Sequence, residues 1–153
     1  MSKLFILIII PFLIFSQQTT YVPDDNFEQA LIDLGYDNII DDYVLTNNIN
    51  TIISLDIGYL SIYDLIGIED FTALEILLFN NNELTQVDLS QNINLKELKC
   101  YNNQLTELNV SENILLENLG CAGNQLVELN TLENTLLKEL GCGYNQLIEI
   151  NVS

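Results

Sequence analysis

Three cysteines, Cys100, Cys121 and Cys142, are the residues whose type and spacing first point to chemistry. They recur at intervals of 21 residues, and a thiolate can serve as a nucleophile, a metal ligand or half of a disulfide. Catalysis by cysteine usually relies on a neighbouring histidine as base, and the chain contains no histidine. Histidine is also the commonest metal ligand. The sequence therefore predicts no catalytic residue, no metal site and no cofactor, and the chain is not expected to be an enzyme.

The cysteines are also poor partners for one another if successive units of the chain stack as parallel strands. Cys100 and Cys142 would then lie two strand spacings apart, about 10 Å, which exceeds the reach of a disulfide. Adjacent cysteines would point the same way with Cβ atoms about 4.8 Å apart, wider than a relaxed disulfide accepts. We therefore expect reduced, buried thiols that pack as small apolar side chains.

Carboxylates are the other abundant chemical group, because the chain has 22 acidic against 4 basic residues and a formal charge of −18. Nucleic acids and anionic membranes require clustered Lys or Arg, so both are excluded as partners. Glu107, Glu128 and Glu149 recur at one repeat position and form a row of like charges. A solvated face that keeps the protein soluble is the favoured interpretation, and weak, non-specific calcium binding is the alternative.

An internal repeat from Leu84 to Gln146 positions these residues. It consists of three stretches of 21 residues, of which the second and third agree at 13 of 21 positions. Each contains the pattern LxxLxCxxNxL, and the apolar positions continue upstream with a period of 22. Units that bury their apolar side only by stacking are typical of a solenoid. The pattern predicts five parallel strands in one row, near Leu55, Leu77, Leu98, Leu119 and Leu140.

Two further features repeat with the same period. Asparagines recur at two turn positions, where an inward amide is expected to bind unpaired backbone groups; they are Asn82, Asn103, Asn124 and Asn145 at one corner and Asn92, Asn113 and Asn134 at the other. A second alternating segment predicts a row of short strands opposite the first, at Val87/Leu89, Leu108/Val110, Leu129/Thr131 and Ile150/Val152.

The repeat resembles a leucine-rich repeat, and its inward cysteine resembles internalin-type secreted bacterial proteins with repeats of 21 and 22 residues. Stacked cysteines form a ladder in the cysteine-bearing members of that family. Cys100, Cys121 and Cys142 match the ladder positions, whereas Phe79 departs from them. The resemblance covers residues 52–153 and implies an α/β solenoid with parallel strands on its concave face. It also implies an extracellular adhesion or recognition protein without enzymatic activity.

The N-terminal part of the chain divides into a signal peptide and a cap. Residues 1–16 combine a basic start, an apolar run of 12 residues and a small residue before Gln17, as in a secretory signal peptide. The run is shorter than the roughly 20 residues that span a membrane, so no membrane span is expected after cleavage. Residues 17–51 then contain a helix at about 25–34, which covers the first coil. Asp25 and Glu28 are expected to form its capping box, and Gly35 to end it.

Residues 36–51 are expected to form a polar, partly ordered linker between this helix and the repeats. They contain Asp37, Asp41 and Asp42, which prompts a comparison with calcium-binding loops. Ile39 and Ile40 interrupt the alternate acidic positions that an EF-hand requires, so calcium is not expected to bind there.

The outward side of the main strand row is the candidate binding face. Aromatic and polar residues over a rigid sheet are typical of recognition surfaces. The candidate residues are Lys99, Tyr101, Asn102, Gly120, Ala122, Gly141, Gly143 and Tyr144. We predict a secreted or cell-surface recognition or adhesion module that binds a protein partner. A carbohydrate- or calcium-dependent surface module is the alternative, since an exposed tyrosine beside a carboxamide would suit a glycan.

The C-terminal end of the array is expected to be uncapped. Solenoids need polar capping units, and residues 147–153 begin another repeat unit without such a cap. We expect either that the repeats continue in a longer native chain or that the open coil associates with a second copy, and salt would promote this association by screening the negative charge.

Overall fold

The computed structural model describes residues 17–152, and the predicted signal peptide lies outside the described residues. The described chain is a stack of short coils that follows an N-terminal cap. The cap contains strand β1 (Thr19–Tyr21), helix α1 (Asp25–Asp33), strand β2 (Tyr43–Leu45) and helix α2 (Thr46–Ile49). The coils contain β3 (Ser54–Asp56), a 3₁₀ helix (Ile68–Asp70), β4 (Ile76–Leu78), β5 (Glu97–Lys99), β6 (Asn118–Gly120), β7 (Glu128–Thr131), β8 (Glu139–Gly141) and β9 (Glu149–Val152).

The main sheet consists of five parallel strands in the order β3-β4-β5-β6-β8. The central residue of each strand pairs with its equivalent in the next coil, and these residues are Leu55, Leu77, Leu98, Leu119 and Leu140. Their side chains point inward and the flanking residues point outward, as the period of two along a strand requires. The predicted solenoid with one row of five strands is confirmed.

The interior asparagines hold the turns of neighbouring coils together. The Asn103 amide donates to the carbonyls of Phe79 (3.0 Å) and Cys100 (3.1 Å), and its Oδ1 accepts from the backbone N–H of Leu84 (3.1 Å). Asn82, Asn124 and Asn145 make the same three kinds of bond one coil earlier or later. Each side chain thereby satisfies backbone groups that a tight turn leaves unpaired.

A second asparagine column lies at the opposite corner and is buried. The amide of Asn92 donates to the carbonyl of Ile68 at 2.8 Å, and Asn113 donates to Leu89 and Asn92 at 3.0 Å each. Asn134 donates to Val110 and Asn113 at 2.9 Å each. Both columns therefore link backbones of adjacent coils, which explains why asparagine recurs at these positions.

The second strand row is shorter than predicted. Only β7 and β9 pair, in parallel, while residues 87–90 and 108–111 form no strand among the described residues. Leu89, Leu108 and Val110 are nevertheless buried. An inward side chain needs only locally extended backbone, not a ladder of hydrogen bonds, so the alternating pattern overestimated the regular structure on this side.

Helix α1 begins one residue earlier than the capping-box prediction required. Its N-cap is Asp24, whose carboxylate accepts from the backbone N–H groups of Asn26 (2.9 Å) and Phe27 (3.1 Å), whereas Asp25 is exposed. Glu28 does not reach back to the cap. The predicted pairing of Asp25 with Glu28 is wrong, because a preceding acid already occupies the N-cap.

The end of α1 follows the predicted glycine stop. Leu34 is the C-cap, and Gly35 takes a left-handed backbone conformation with a φ of 82°. The N–H of Gly35 donates to Ile32 (2.9 Å) and that of Tyr36 to Leu31 (2.9 Å), the two bonds of a Schellman motif.

Residues 36–51 are more ordered than a polar linker. Strand β2 pairs antiparallel with β1, and Val44 and Ile49 are fully buried. The buried carboxylate of Glu28 accepts from the backbone N–H groups of residues 41, 42 and 43 at 3.0–3.1 Å. A carboxylate from the helix thus replaces the missing backbone partners of this segment and fixes it against α1.

The cap is attached to the first coil by both apolar and polar contacts. The ring of Phe27 stacks on Phe71 with centroids 6.1 Å apart, and the second carboxylate oxygen of Asp24 accepts from the N–H groups of Tyr63 (2.7 Å) and Asp64 (2.9 Å). Helix α1 therefore covers the apolar interior of the first coil. Within residues 17–152, no helix has the length and apolar character that a membrane crossing requires.

Candidate binding face

The outward positions of the main sheet form columns that follow the stacked strands. One column lies one residue before each inward cysteine or its equivalent, and it contains Asp56, Leu78, Lys99, Gly120 and Gly141. Two residues further along the chain lies a second column, of Gly58, Asn80, Tyr101, Ala122 and Gly143. The structure thus brings most of the predicted binding residues onto one face, because β5, β6 and β8 are consecutive strands of the sheet.

The larger side chains of this face are already held by neighbours. Lys99 forms an ion pair with Glu97 at 2.6 Å, and this carboxylate raises the pKa of the Lys99 ammonium. Tyr101 is half-buried, and the exposed Asn102 donates to Asn81 Oδ1 at 2.9 Å. These residues present a pre-arranged polar surface toward the N-terminal side of the glycines.

The glycines form the floor of a shallow hollow on this face. The hollow has a volume of about 330 Å³ and is lined by Lys99, Asn118, Leu119, Gly120, Glu139, Leu140 and Gly141. A Cβ atom added at Gly120 would lie 3.6 Å from Lys99 Cγ, and one at Gly141 would lie 3.9 Å from Gly120 Cα, both ordinary contact distances. Nothing lies within 4 Å of a Cβ added at Gly143. The hollow therefore exists because side chains are missing at Gly120 and Gly141, and Gly143 leaves further open space along the same face. Packing does not exclude a side chain at any of the three positions.

Tyr144 projects from the turn after β8 and is 94% exposed. Its backbone is left-handed, with a φ of 55°, like that of every equivalent residue in the preceding coils. Those residues are Tyr59, Asn81, Asn102 and Gly123. Sequence reasoning missed Tyr59, which is 74% exposed in the first coil. Its spacing of 22 residues from Asn81 was the signal that could have placed it in this column.

The three cysteines lie directly after the central strands of the last three coils and form no disulfide. Cys100 and Cys121 are buried, and burial with the neighbouring thiol raises the pKa of Cys100 and raises that of Cys121 to about 12. Cys142 is only half-buried, so the prediction of three buried thiols is wrong at this position. It belongs to the last coil of the main sheet, where a neighbouring coil covers one side only.

Thiol titration should distinguish these environments. In the native 153-residue chain we expect Cys142 to react with a thiol reagent and Cys100 and Cys121 to stay protected, since only the thiolate is reactive and both buried groups hold their protons. Denaturant should expose all three. A Cys142→Ser variant is the control and should show no native reaction. Recovery of a single thiol in denaturant would instead establish a disulfide between the other two.

The acidic groups lie mainly away from this face. A hollow of about 490 Å³ at residues 64–69 and 86–91 is larger than the one on the main sheet and includes Asp64, Glu69, Asp88 and Glu107 in its lining. Its acids belong to exposed or half-buried residues, as expected for a solvated side. Size alone therefore does not make it the better candidate for specific recognition.

The acids near the cap do not form the group that was compared with a calcium-binding loop. Asp42 lies near Asp25 and Glu28, with one oxygen of each within 4.8 Å of the others, rather than forming a set with Asp37 and Asp41. The oxygens of Glu28 accept three backbone hydrogen bonds. This carboxylate therefore has a structural task that accounts for its burial without a cation.

Comparison with known proteins agrees with this architecture. No model of a protein family matches the chain. Internalin J of Listeria monocytogenes serotype 4b (strain F2365) is 38% identical over 72 residues, which make up 47% of this chain and 8% of internalin J. The chain thus matches only a small part of that relative's length.

Two solved structures have the same fold. The functional domain of InlJ from Listeria monocytogenes, which includes a cysteine ladder, has a TM-score of 0.81 and 38% identity, over 90% of this chain and 31% of that one. The internalin InlF from strain 4b F2365 of the same species has a TM-score of 0.69 over 83% of this chain and 45% of its own. At 19% identity, the second likeness concerns the fold alone. By its stacked coils and by the sequence of its repeats, this chain has the fold of internalin-type leucine-rich repeats.

Proposed function

We propose that this chain is a secreted or cell-surface recognition module that binds a protein partner through the outward face of its main sheet. The observation that carries the proposal is the combination on that face of a glycine-floored hollow with Tyr144, which is 94% exposed. A rigid sheet presents such residues with little loss of conformational entropy on binding. Exposed tyrosines are also common anchors of protein interfaces.

The net charge of the chain favours a basic protein as the partner. The chain carries a formal charge of −18, which disfavours acidic partners and accelerates encounter with basic ones. Protein binding needs no chemical step, in keeping with a module whose described face has acids, amides and tyrosines but no nucleophile paired with a base. Export through residues 1–16 is part of the proposal, and the mature N-terminus is expected at Gln17.

An array of purified extracellular protein domains, probed with the labelled chain, provides the test. We expect a bound partner to lose at least about tenfold in affinity when Tyr101→Ser and Tyr144→Ser are combined, as expected for interface anchors. The matched control removes two other exposed tyrosines, Tyr21→Ser with Tyr43→Ser, from the cap. Circular dichroism and melting of both variants should show that the fold is kept.

The same array would also show where the proposal fails. Partner binding that survives loss of Tyr101 and Tyr144, or that disappears with the cap tyrosines instead, would assign recognition to another surface. A glycan array with calcium and with chelator tests the alternative function. The geometry gives that alternative little support, because Tyr101 is half-buried and the amide of Asn102 is engaged by Asn81.

The stacked cysteines enter the proposal as a structural feature. The thiols of Cys100, Cys121 and Cys142 follow β5, β6 and β8 at one equivalent position, and each influences the next electrostatically. We propose that they form a ladder of the kind found in InlJ, whose task is to fill the narrow interior behind the binding face. Conversion of Cys121 to Ala should keep partner binding, and conversion to a charged residue should not.

A further inference from the structure

We propose that the part of the face formed by Gly120, Gly141, Gly143 and Tyr144, here called the glycine subsite, receives an extended segment of the protein partner that bears lysine or arginine. The inference rests on the proposed function and assigns the chemistry of the segment that the face takes. It follows from glycine and tyrosine residues on this face whose presence the packing and backbone of the fold do not require.

The glycines of the subsite are not required by the backbone. Gly120, Gly141 and Gly143 lie outside the left-handed region, and an added Cβ would meet no atom closer than 3.6 Å. Equivalent positions in neighbouring coils hold Lys99 and Tyr101, so the sheet accepts large side chains there. Glycine weakens a strand because it loses more conformational freedom on folding and offers nothing to pack. Glycine at these three positions therefore lowers the stability of the fold, and neither packing nor backbone conformation requires it there.

Tyr144 is a large residue at a position where the backbone conformation favours a small one. Its left-handed backbone (φ 55°) suits glycine or asparagine, and the chain places Asn81, Asn102 and Gly123 at three of the four equivalent turns, while the exposed Tyr59 occupies the turn of the first coil. A bulky residue with positive φ is strained, and at 94% exposure the Tyr144 ring gains no packing in return. Gly123 has a further reason to be glycine, because an added Cβ would lie 2.4 Å from Asn102 Oδ1.

The last coil of the main sheet therefore combines two features that occur together in no other described coil. It has glycine where side chains fit and tyrosine where glycine would be favoured. A floor without side chains lets another backbone approach closely, which is one of the recurrent reasons for glycine within strands. An exposed aromatic ring beside that floor can cover the segment and contact its side chains. An extended segment, which is narrow and presents backbone along its length, fits this shape.

Charge determines which side chains the segment should bear. Glu139 lines the hollow, is exposed, and forms no ion pair within residues 17–152. Lys99 lines the same hollow, but it pairs with Glu97, and Glu139 attracts it only more weakly. One basic side chain of the segment could pair with Glu139, and a second could lie against the face of Tyr144 in a cation–π contact. The overall charge of −18 attracts the same segment at longer range.

The test selects a phage-displayed library of random linear peptides against the full chain. We expect the recovered peptides to be enriched in Lys and Arg. A synthetic copy of the strongest peptide should lose at least about tenfold in affinity for Gly143→Leu, which fills the open floor, and for Glu139→Gln. Thr106→Leu, which adds similar bulk at an exposed turn, is the control and should bind as the unmodified chain does.

Tyr144→Asn separates recognition from stability. Its affinity for the peptide should fall by a similar factor, while its melting temperature should rise by about 3 °C, since asparagine accepts the left-handed conformation more readily than tyrosine. Recovery of peptides without basic residues, failure to recover any peptide, or full binding to Gly143→Leu would overturn the subsite. If array binding in the same experiment is lost in a Tyr101→Ser variant, the proposed function stands and only the subsite is rejected.

Discussion

Replacing Leu119 with aspartate is expected to unfold the whole array rather than one coil. Leu119 is 2% exposed and lies in β6, between the equivalent leucines of β5 and β8. An unpaired carboxylate at such a position costs several kcal/mol, a large part of the 5–15 kcal/mol that typically stabilises a domain. Each coil of a solenoid is stabilised only by its neighbours, so the disturbance spreads in both directions.

Urea denaturation followed by circular dichroism measures this effect. The matched control is Leu136→Asp, the same substitution at a leucine that is 49% exposed, for which we expect a change within about 1 kcal/mol. Leu119→Asp should show no cooperative transition at ordinary temperatures. A cooperative transition close to that of the unmodified chain would mean that this side chain can leave the interior without disrupting the stack.

Replacing Asp24 with alanine is the second large effect that we expect. This buried carboxylate accepts four backbone hydrogen bonds, two from the start of α1 and two from Tyr63 and Asp64 of the first coil. Loss of a helix N-cap costs about 1 kcal/mol, and each partly buried N–H of Tyr63 and Asp64 left without a partner adds about 1 kcal/mol, the low end of the cost for a buried group. We therefore expect a loss of about 3 kcal/mol in the free energy of unfolding.

The neighbouring residue provides the control. Asp25 is exposed, so Asp25→Ala should change the free energy of unfolding by no more than about 0.5 kcal/mol. Amide hydrogen exchange adds a local readout, because Asp24→Ala should release the amides of Tyr63 and Asp64 first. Equal losses in the two variants would restore Asp25 as the cap and contradict the geometry of the helix start.

The candidate face was only partly accessible to sequence reasoning. Alternation about Leu98 and Leu119 predicts that Lys99, Tyr101 and Gly120 point outward, and the structure places them there. It does not predict which of them are engaged. The ion pair of Lys99 with Glu97 and the exposure of Tyr144 depend on side-chain conformation and on the turn that each coil adopts.

By itself, the sequence determined the stacked coils and the inward rows of leucine, cysteine and asparagine. A period of 21 or 22 residues gives several copies of one unit, so the residue types at equivalent positions can be compared within the one chain. The apolar residues that these copies share can be buried only if the copies stack. The tertiary structure alone decided the polar contacts of the cap, whose residues do not recur along the chain. Glu28 has its partners at residues 41–43, and Asp24 has two of its own at Tyr63 and Asp64. It also decided the left-handed backbone of Tyr144 and the free space above Gly143, because backbone angles and distances between coils arise only once the coils are packed.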